Sequence, residues 1–190
     1  MNNTITRQTI VHDAKWLKLV EAEASVRGEA TKWLYCSRKQ QPGATRSADA
    51  VMVVPFVRTP VGVKLIAVRE FRIPLGGYQI ALPAGLLDEG ETPEAAAARE
   101  LLEETGYEVT DVLDVSPVLP SSAGLTDETF QYVFVEAKAV GAQQLEATEA
   151  IEVLAVTLAE LRELLHTPEH ICGRLWPLAY QYTQQNQYPI

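Results

Sequence analysis

Between Thr92 and Gly106 the chain carries a full set of helix signals, and this segment constrains the fold more than any other. Thr92 suits the N-cap because its hydroxyl can accept from an otherwise unpaired N–H of the first turn. Pro93 stands at the first helical position, Glu94 favours the positive end of the helix, and Gly106 is placed to close it in the left-handed conformation. At about 100° per residue, Arg99, Glu100, Glu103 and Glu104 fall on one arc, and Ala97, Ala98, Leu101 and Leu102 on the opposite one. One face packs and the other is strongly acidic. Such a face can simply be solvated, with Arg99 pairing Glu103 at i,i+4, but the surrounding residues point elsewhere.

Strand signals lie on both sides of the helix. Residues 9–39 hold two partly alternating stretches, Trp16–Val26 and Thr31–Arg38, separated by Gly28 as in a hairpin. The polar segment QQPGATRSAD then divides this β arm from a strand at Ala50–Val57, which places a boundary between an arm, 1–45, and a main domain, 46–190. Further strands are expected at Val63–Glu70, Val112–Val118, Thr129–Ala137 and Ile151–Val156, with helices at Leu158–Leu165 and Pro177–Gln184 and a fraying Gln-rich end, QYTQQNQYPI. Strands mixed with a few helices imply an α+β or α/β/α sandwich.

Composition limits the partners. A formal net charge of −9 offers a phosphate backbone no basic face, so nucleic-acid binding is not expected. A phosphate-bearing substrate would have to be met through divalent cations and a few placed arginines. Cys36 and Cys172 are too few for a disulfide framework or a zinc site built on cysteine pairs. His166 and His170 are four apart but separated by Pro168, which argues against a helical metal pair. The start MNNTITRQTI lacks the features of a signal peptide, and no run approaches the ~20 apolar residues of a membrane span, so no membrane partner and a cytoplasmic location are expected.

The acidic arc belongs to a longer pattern. Gly85, Glu91, Arg99, Glu100, Leu101, Glu103, Glu104 and Gly106 stand in the spacing G-x5-E-x7-R-E-U-x-E-E-x-G-U, with U aliphatic and only Tyr107 departing at the last position. Seven fixed letters in register should arise by chance on the order of once in a million such chains. The pattern resembles the Nudix box. The resemblance implies a Nudix α/β/α sandwich with a mixed sheet, here preceded by the β arm, and hydrolysis of a diphosphate assisted by Mg2+ or Mn2+, cations that carboxylate oxygens and water hold well. It further implies that Glu100 and Glu104 are metal ligands, Glu103 a further ligand or a helper of the attacking water, Arg99 the residue that orients the glutamates, and the Ala84 carbonyl part of the site. Glu91 reads as a structural partner of the loop–helix joint. For the general base, the acidic loop before the strand at Ile151 offers Glu146, Glu149 and Glu152, of which Glu149 aligns best with the loop glutamate of ADP-ribose pyrophosphatases; the alternative is a surface carboxylate.

LPAGLLDEGETPEAAAARELLEETGY with the preceding REFRIP looks like the ADP-ribose pyrophosphatase branch, over roughly residues 50–157. Arg69 and Arg72 are then candidates for gripping the diphosphate, the alternative being two cations on the outer face of a strand. Trp33 reads either as a ring that stacks on adenine, as arm residues do in related homodimers, or as a core tryptophan. Two departures, Ala81 where the branch usually has Glu and Ser122-Ala123-Gly124 where it has Ser-Pro-Gly, keep another nucleoside diphosphate sugar such as a GDP-hexose open as substrate. A ligand-sensing module is the reading of another class. Such modules commonly lose box glutamates and carry a DNA-binding domain, whereas Glu100, Glu103 and Glu104 are all present and no such domain is expected within 190 residues.

Overall fold

The structure is a computed structural model that describes residues 3–43 and 47–184. In chain order its elements are β1 (Thr4–Asp13), β2 (Lys18–Val26), β3 (Glu29–Ser37), β4 (Ala50–Thr59), β5 (Gly62–Arg72), β6 (Gly77–Ala81), β7 (Ala84–Leu86), α1 (Pro93–Thr105), β8 (Tyr107–Val115), β9 (Leu119–Pro120), β10 (Thr129–Ala139), β11 (Ile151–Thr157), α2 (Leu158–Leu164), β12 (His170–Ile171) and α3 (Leu175–Gln184). Contacts divide the chain into two units, Met1–Asp49 with Val118–Phe130, and Ala50–Pro117 with Gln131–Ile190. The expected boundary at 45/46 and the last residues of the Gln-rich end, 185–190, lie outside the described residues.

In the first unit, β1, β2 and β3 form an antiparallel sheet in that order. The expected hairpin is β2–β3, and its turn uses Arg27 and Gly28, both at positive φ. The third strand, β1, gives no alternating pattern because every residue in it is exposed. Asp127 joins this unit's loops, accepting from Ser37 Oγ at 3.0 Å and from the Gly43 N–H at 2.6 Å.

The second unit is built on one mixed sheet. One edge of β5 is shared between β4, which pairs with its first residues, and β6, which pairs with its last, while β11 runs along the other edge; all three pairings are antiparallel. β12 adds the parallel pairing, against β6. Alternation along β4 and β10 sends side chains to two packed faces. Val51, Val53, Val133 and Val135 meet Ala96, Ala97 and Leu101 of α1 on one face. Val54, Phe56, Leu65 and Phe134 face Leu161 of α2 and Leu175 of α3 on the other. The fold is therefore α+β, a sheet between helical layers.

Local chemistry agrees with the helix signals: Thr92 Oγ1 accepts from the Ala95 N–H, and Gly106, at φ 71°, donates to the Leu102 carbonyl. A Cβ at Gly106 would also collide with the Gly141 carbonyl, so this position is restricted to glycine twice over. Several boundaries differ from expectation. β8 starts at Tyr107, directly after the cap, and stops at Val115, because a strand cannot run through Pro117, which has no N–H for the ladder. α3 begins at Leu175, with Pro177 inside the first turn where proline is tolerated. The helix continues through residues 181–184 of the Gln-rich end, with Thr183 fully buried. Leu101→Ala, at a site with no exposure, should cost about 2–5 kcal/mol of unfolding free energy. Leu113→Ala, at a half-exposed position, should cost about 0.5 kcal/mol or less; chemical denaturation of both variants checks the contrast.

Candidate active site

The acidic arc of α1 is not a solvated face. Its buried stripe consists of Ala96, Ala97, Leu101, Glu104 and Thr105, so Glu104 lies in line with the packing residues, and Glu103 is the more open of the box acids. β7 is the reason the helix can sit so close. Gly85 pairs with Val51, and a Cβ built on Gly85 would fall inside the Glu100 carboxylate, so only glycine leaves that carboxylate its place. One residue earlier, the Ala84 N–H donates to Glu104 Oε2 at 3.2 Å.

Arg99 ties the helix to the loop before it. Its Nε and Nη2 reach the two oxygens of Glu91 at 3.1 and 2.9 Å, Nη2 also donates to the Leu86 carbonyl at 3.0 Å, and Nη1 reaches Glu100 at 2.7 Å. Glu103, at 3.5 Å, is its loosest partner. Glu91 in turn accepts from the Asp88 N–H at 3.0 Å, which supports its reading as a structural partner. The Arg99 hydrogen bonds hold the Glu91 carboxyl below the usual range, and donating to Glu91 and Glu100 keeps the guanidinium firmly charged.

Glu149 comes to this region through the segment after β10. Val140 and Gly141 donate to the Gly106 carbonyl, Gln144 N–H donates to the Glu103 carbonyl at 2.8 Å, and Gln143 Nε2 bridges the carbonyls of Glu104 and Ile151 at 2.6 and 3.1 Å. The loop is thus fastened to the C-terminal end of α1. Within it, Glu146 and Glu149 close a tight turn, Glu149 Oε2 accepting from the Glu146 N–H at 2.9 Å.

β5 adds an acid that the spacing of the box could not reveal. Glu70 is buried, is paired across the sheet with Gln79 on one side and Ile151 on the other, and receives Arg72 Nε on Oε1 at 2.9 Å. The sequence signal for it was the alternation of β5. Even-numbered residues from Ile66 face the α1 side, and odd-numbered residues from Leu65 face α2 and α3. That alternation separates the two arginine candidates. Arg72 shares the side of Glu70, whereas Arg69 stems from the opposite side, where it pairs with Glu169 at 2.7 Å and Glu152 at 3.5 Å and lies 4.0 Å over the Tyr78 ring. Glu152 is thereby set apart from Glu149. In the first unit, Trp33 is 57% exposed and donates through Nε1 to the Gly124 carbonyl, so in the single chain it is not a core residue.

The acids act on one another. Burial raises Glu104 from 4.5 to about 8, and the charges of Glu100, Glu70 and Glu149 add to the rise. Burial likewise raises Glu100 and Glu70, opposed by Arg99 and Arg72 respectively. Among the described residues no group of three or more His, Cys, Asp or Glu side chains is placed to hold a metal ion by itself. The donor set is nevertheless one of hard oxygens in excess over its cations. It suits an ion that takes one or two carboxylates and completes its shell with water and substrate oxygens, as Mg2+ does.

A family model described as the NUDIX domain matches residues 46–173, and the chain belongs to the Nudix hydrolase family. It is 37% identical over 133 residues to an ADP-sugar pyrophosphatase of Mus musculus, a match covering 69% of this chain and 60% of that protein. It is 36% identical over 123 residues to an ADP-ribose pyrophosphatase of Bacillus subtilis (strain 168), covering 64% of this chain and 65% of that protein. The matches thus span less than two-thirds of either relative. The crystal structure of an ADP compounds hydrolase has the same fold, with a TM-score of 0.73 at 19% identity over 100% of this chain and 98% of that one.

A carboxyl whose pKa is raised on folding supports the fold while it is protonated. For Glu104 that support is complete below about 4.5 and is lost as the pH rises through about 8. Thermal unfolding in chelator should therefore show the melting temperature of the wild type falling across this window relative to that of Glu104→Gln. An unchanged pH slope in the variant would contradict the placement of this side chain.

Proposed function

We propose that this chain hydrolyses the diphosphate of ADP-ribose to AMP and ribose 5-phosphate, with Mg2+ or Mn2+ as cofactor. The observation that carries this reading is the buried acid group where α1 meets Ala84 and Gly85, in a chain related to ADP-ribose and ADP-sugar pyrophosphatases. Glu100, Glu103 and Glu104, with the Ala84 carbonyl, would hold the cation. Once bound, such an ion offsets charge that develops on the phosphate and lowers the pKa of water beside it.

The chain's own groups do the rest. Arg99 orients Glu100 and, more loosely, Glu103. Arg72, on the acid side of β5, meets the diphosphate. Arg69 would have to leave Glu169 and Glu152 to join it. Glu149 accepts a proton from the attacking water; the water oxygen bonds to phosphorus, the bridging P–O bond breaks, and its electron pair leaves with the departing phosphate. Trp33, exposed on the arm, is available to stack on the base. The arm also exposes Ile5, Ile10, Val11, Trp16 and Leu34, apolar area that fits a homodimer interface. Two free thiols accord with a reducing, cytoplasmic setting. Among the described residues no helix is long and apolar enough to cross a membrane.

A panel of nucleoside diphosphate derivatives, assayed with each cation, should give the highest kcat/KM for ADP-ribose; a GDP-hexose ahead of it would reassign the substrate within the same chemistry, and no turnover at all would favour a sensing module. Glu100→Gln and Glu104→Gln should each lower kcat at least ~100-fold with the fold intact. Glu149→Gln should lower kcat ~10-fold or more with little change in KM, while Glu146→Gln and Glu152→Gln are mild. Three similar, modest losses that excess Mg2+ restores would instead make the loop a cation attractor. Sedimentation at micromolar concentration should find a dimer, and a fully active monomer would remove the arm from the site.

A further inference from the structure

Glu70 is a buried acid that the box does not account for. It closes the buried stretch of β5, held between Gln79 of β6 and Ile151 of β11, and Ile151 is only two residues from Glu149. The backbone fixes that proximity, because the Phe71 N–H donates to the Ala150 carbonyl at 3.2 Å. On this side of the sheet Glu70 joins Glu100, Glu104 and Glu149, and the charges of Glu70 and Glu149 both bear on Glu104. The guanidinium groups paired with these acids are those of Arg99 and Arg72. Arg72 is the weaker anchor of the two, since its side chain is half exposed and pairs with Glu70, whereas Arg99 is less exposed and is held by Glu91, Glu100 and the Leu86 carbonyl. A structural ion pair needs no buried carboxylate at a point already crowded with acids, where each like charge disfavours the next. An acid that completes a cation site does.

We propose that Glu70 is a further ligand group of the divalent-cation site, supplied by the sheet rather than by the box helix, and that Arg72 is its counter-ion when no cation is bound. This rests on the reading of the site as cation-dependent. A cation that takes up Glu70 frees the Arg72 guanidinium at the strand end, on the side where the diphosphate must arrive. Cation loading and anion binding are thereby coupled through one carboxylate.

The test is a titration of the full chain with Mn2+ alone, reading free Mn2+ by electron paramagnetic resonance, so that activity is not the readout. Glu70→Gln should raise the Mn2+ dissociation constant at least ~5-fold, on the order of 1 kcal/mol by RT ln 5. Glu104→Gln should raise it more, and Arg72→Gln should leave it unchanged or lower it. If Glu70→Gln binds Mn2+ like the wild type while Glu104→Gln does not, Glu70 only positions Arg72 and the inference is overturned. If Arg72→Gln weakens Mn2+ as much as Glu70→Gln, the ion pair rather than the acid matters, and the inference is likewise overturned. If Glu104→Gln also binds normally, the cation site lies elsewhere and the proposed function fails first. Circular dichroism checks the fold of each variant. Should Glu70→Gln not fold, Glu70→Asp, which keeps the charge on a shorter arm, must shift the constant at least ~2-fold for the inference to stand.

Discussion

A carboxylate inside a packing stripe sets the terms for the catalytic unit. Glu104 sits in line with Ala97 and Leu101 on the sheet side of α1, and one backbone N–H, that of Ala84, reaches it. Keeping an acid there requires that β7 approach α1 without a side chain, which Gly85 permits, and that the neighbouring acid Glu100 be tied by Arg99 to Glu91 and Leu86. Removing Arg99 would leave Glu100 facing the charges of Glu103 and Glu149 without its counter-ion. The cap at Gly106 serves the same end, since it ends the helix in a form against which the loop from Val140 can lie.

Two elements far from the box in sequence complete the arrangement through backbone pairing. Gln143 and Gln144 hold the loop to the carbonyls of Glu103 and Glu104, and the first residues of β11 then run beside the end of β5. Glu149 and Glu70 become neighbours although 79 positions separate them in the chain. The period-two rule of the strand decides which arginine joins them. Arg72 lies on the side of Glu70, while Arg69 stems from the other side and is occupied by Glu169 and Glu152. Two cations three residues apart thus belong to different electrostatic neighbourhoods.

The fold also separates chemistry from packing cleanly. Odd-numbered residues of β4 carry the core under α1, and even-numbered residues carry the core under α2 and α3, so both faces of one sheet are apolar near its centre. The acids gather where β5 and β7 meet the helix and the loop, at the margin of that core. There a polar ligand can reach them without crossing the packed layers.

Sequence alone determined the helix from its cap to its terminating glycine, most of the strands, the α+β class and the family, because these depend on local chemistry and on the spacing of residues within one short segment. It could not show that β1 is a strand, since no residue of that strand is buried and no alternation marks it. Nor could it show that Glu104 lies within the packing stripe, that Trp33 stands exposed, or that Arg69 and Arg72 part company. Only the tertiary structure decided these points, together with the presence of Glu70 among the acids. Burial and charge proximity depend on which strands become neighbours, and that pairing is fixed by contacts between segments distant in the chain.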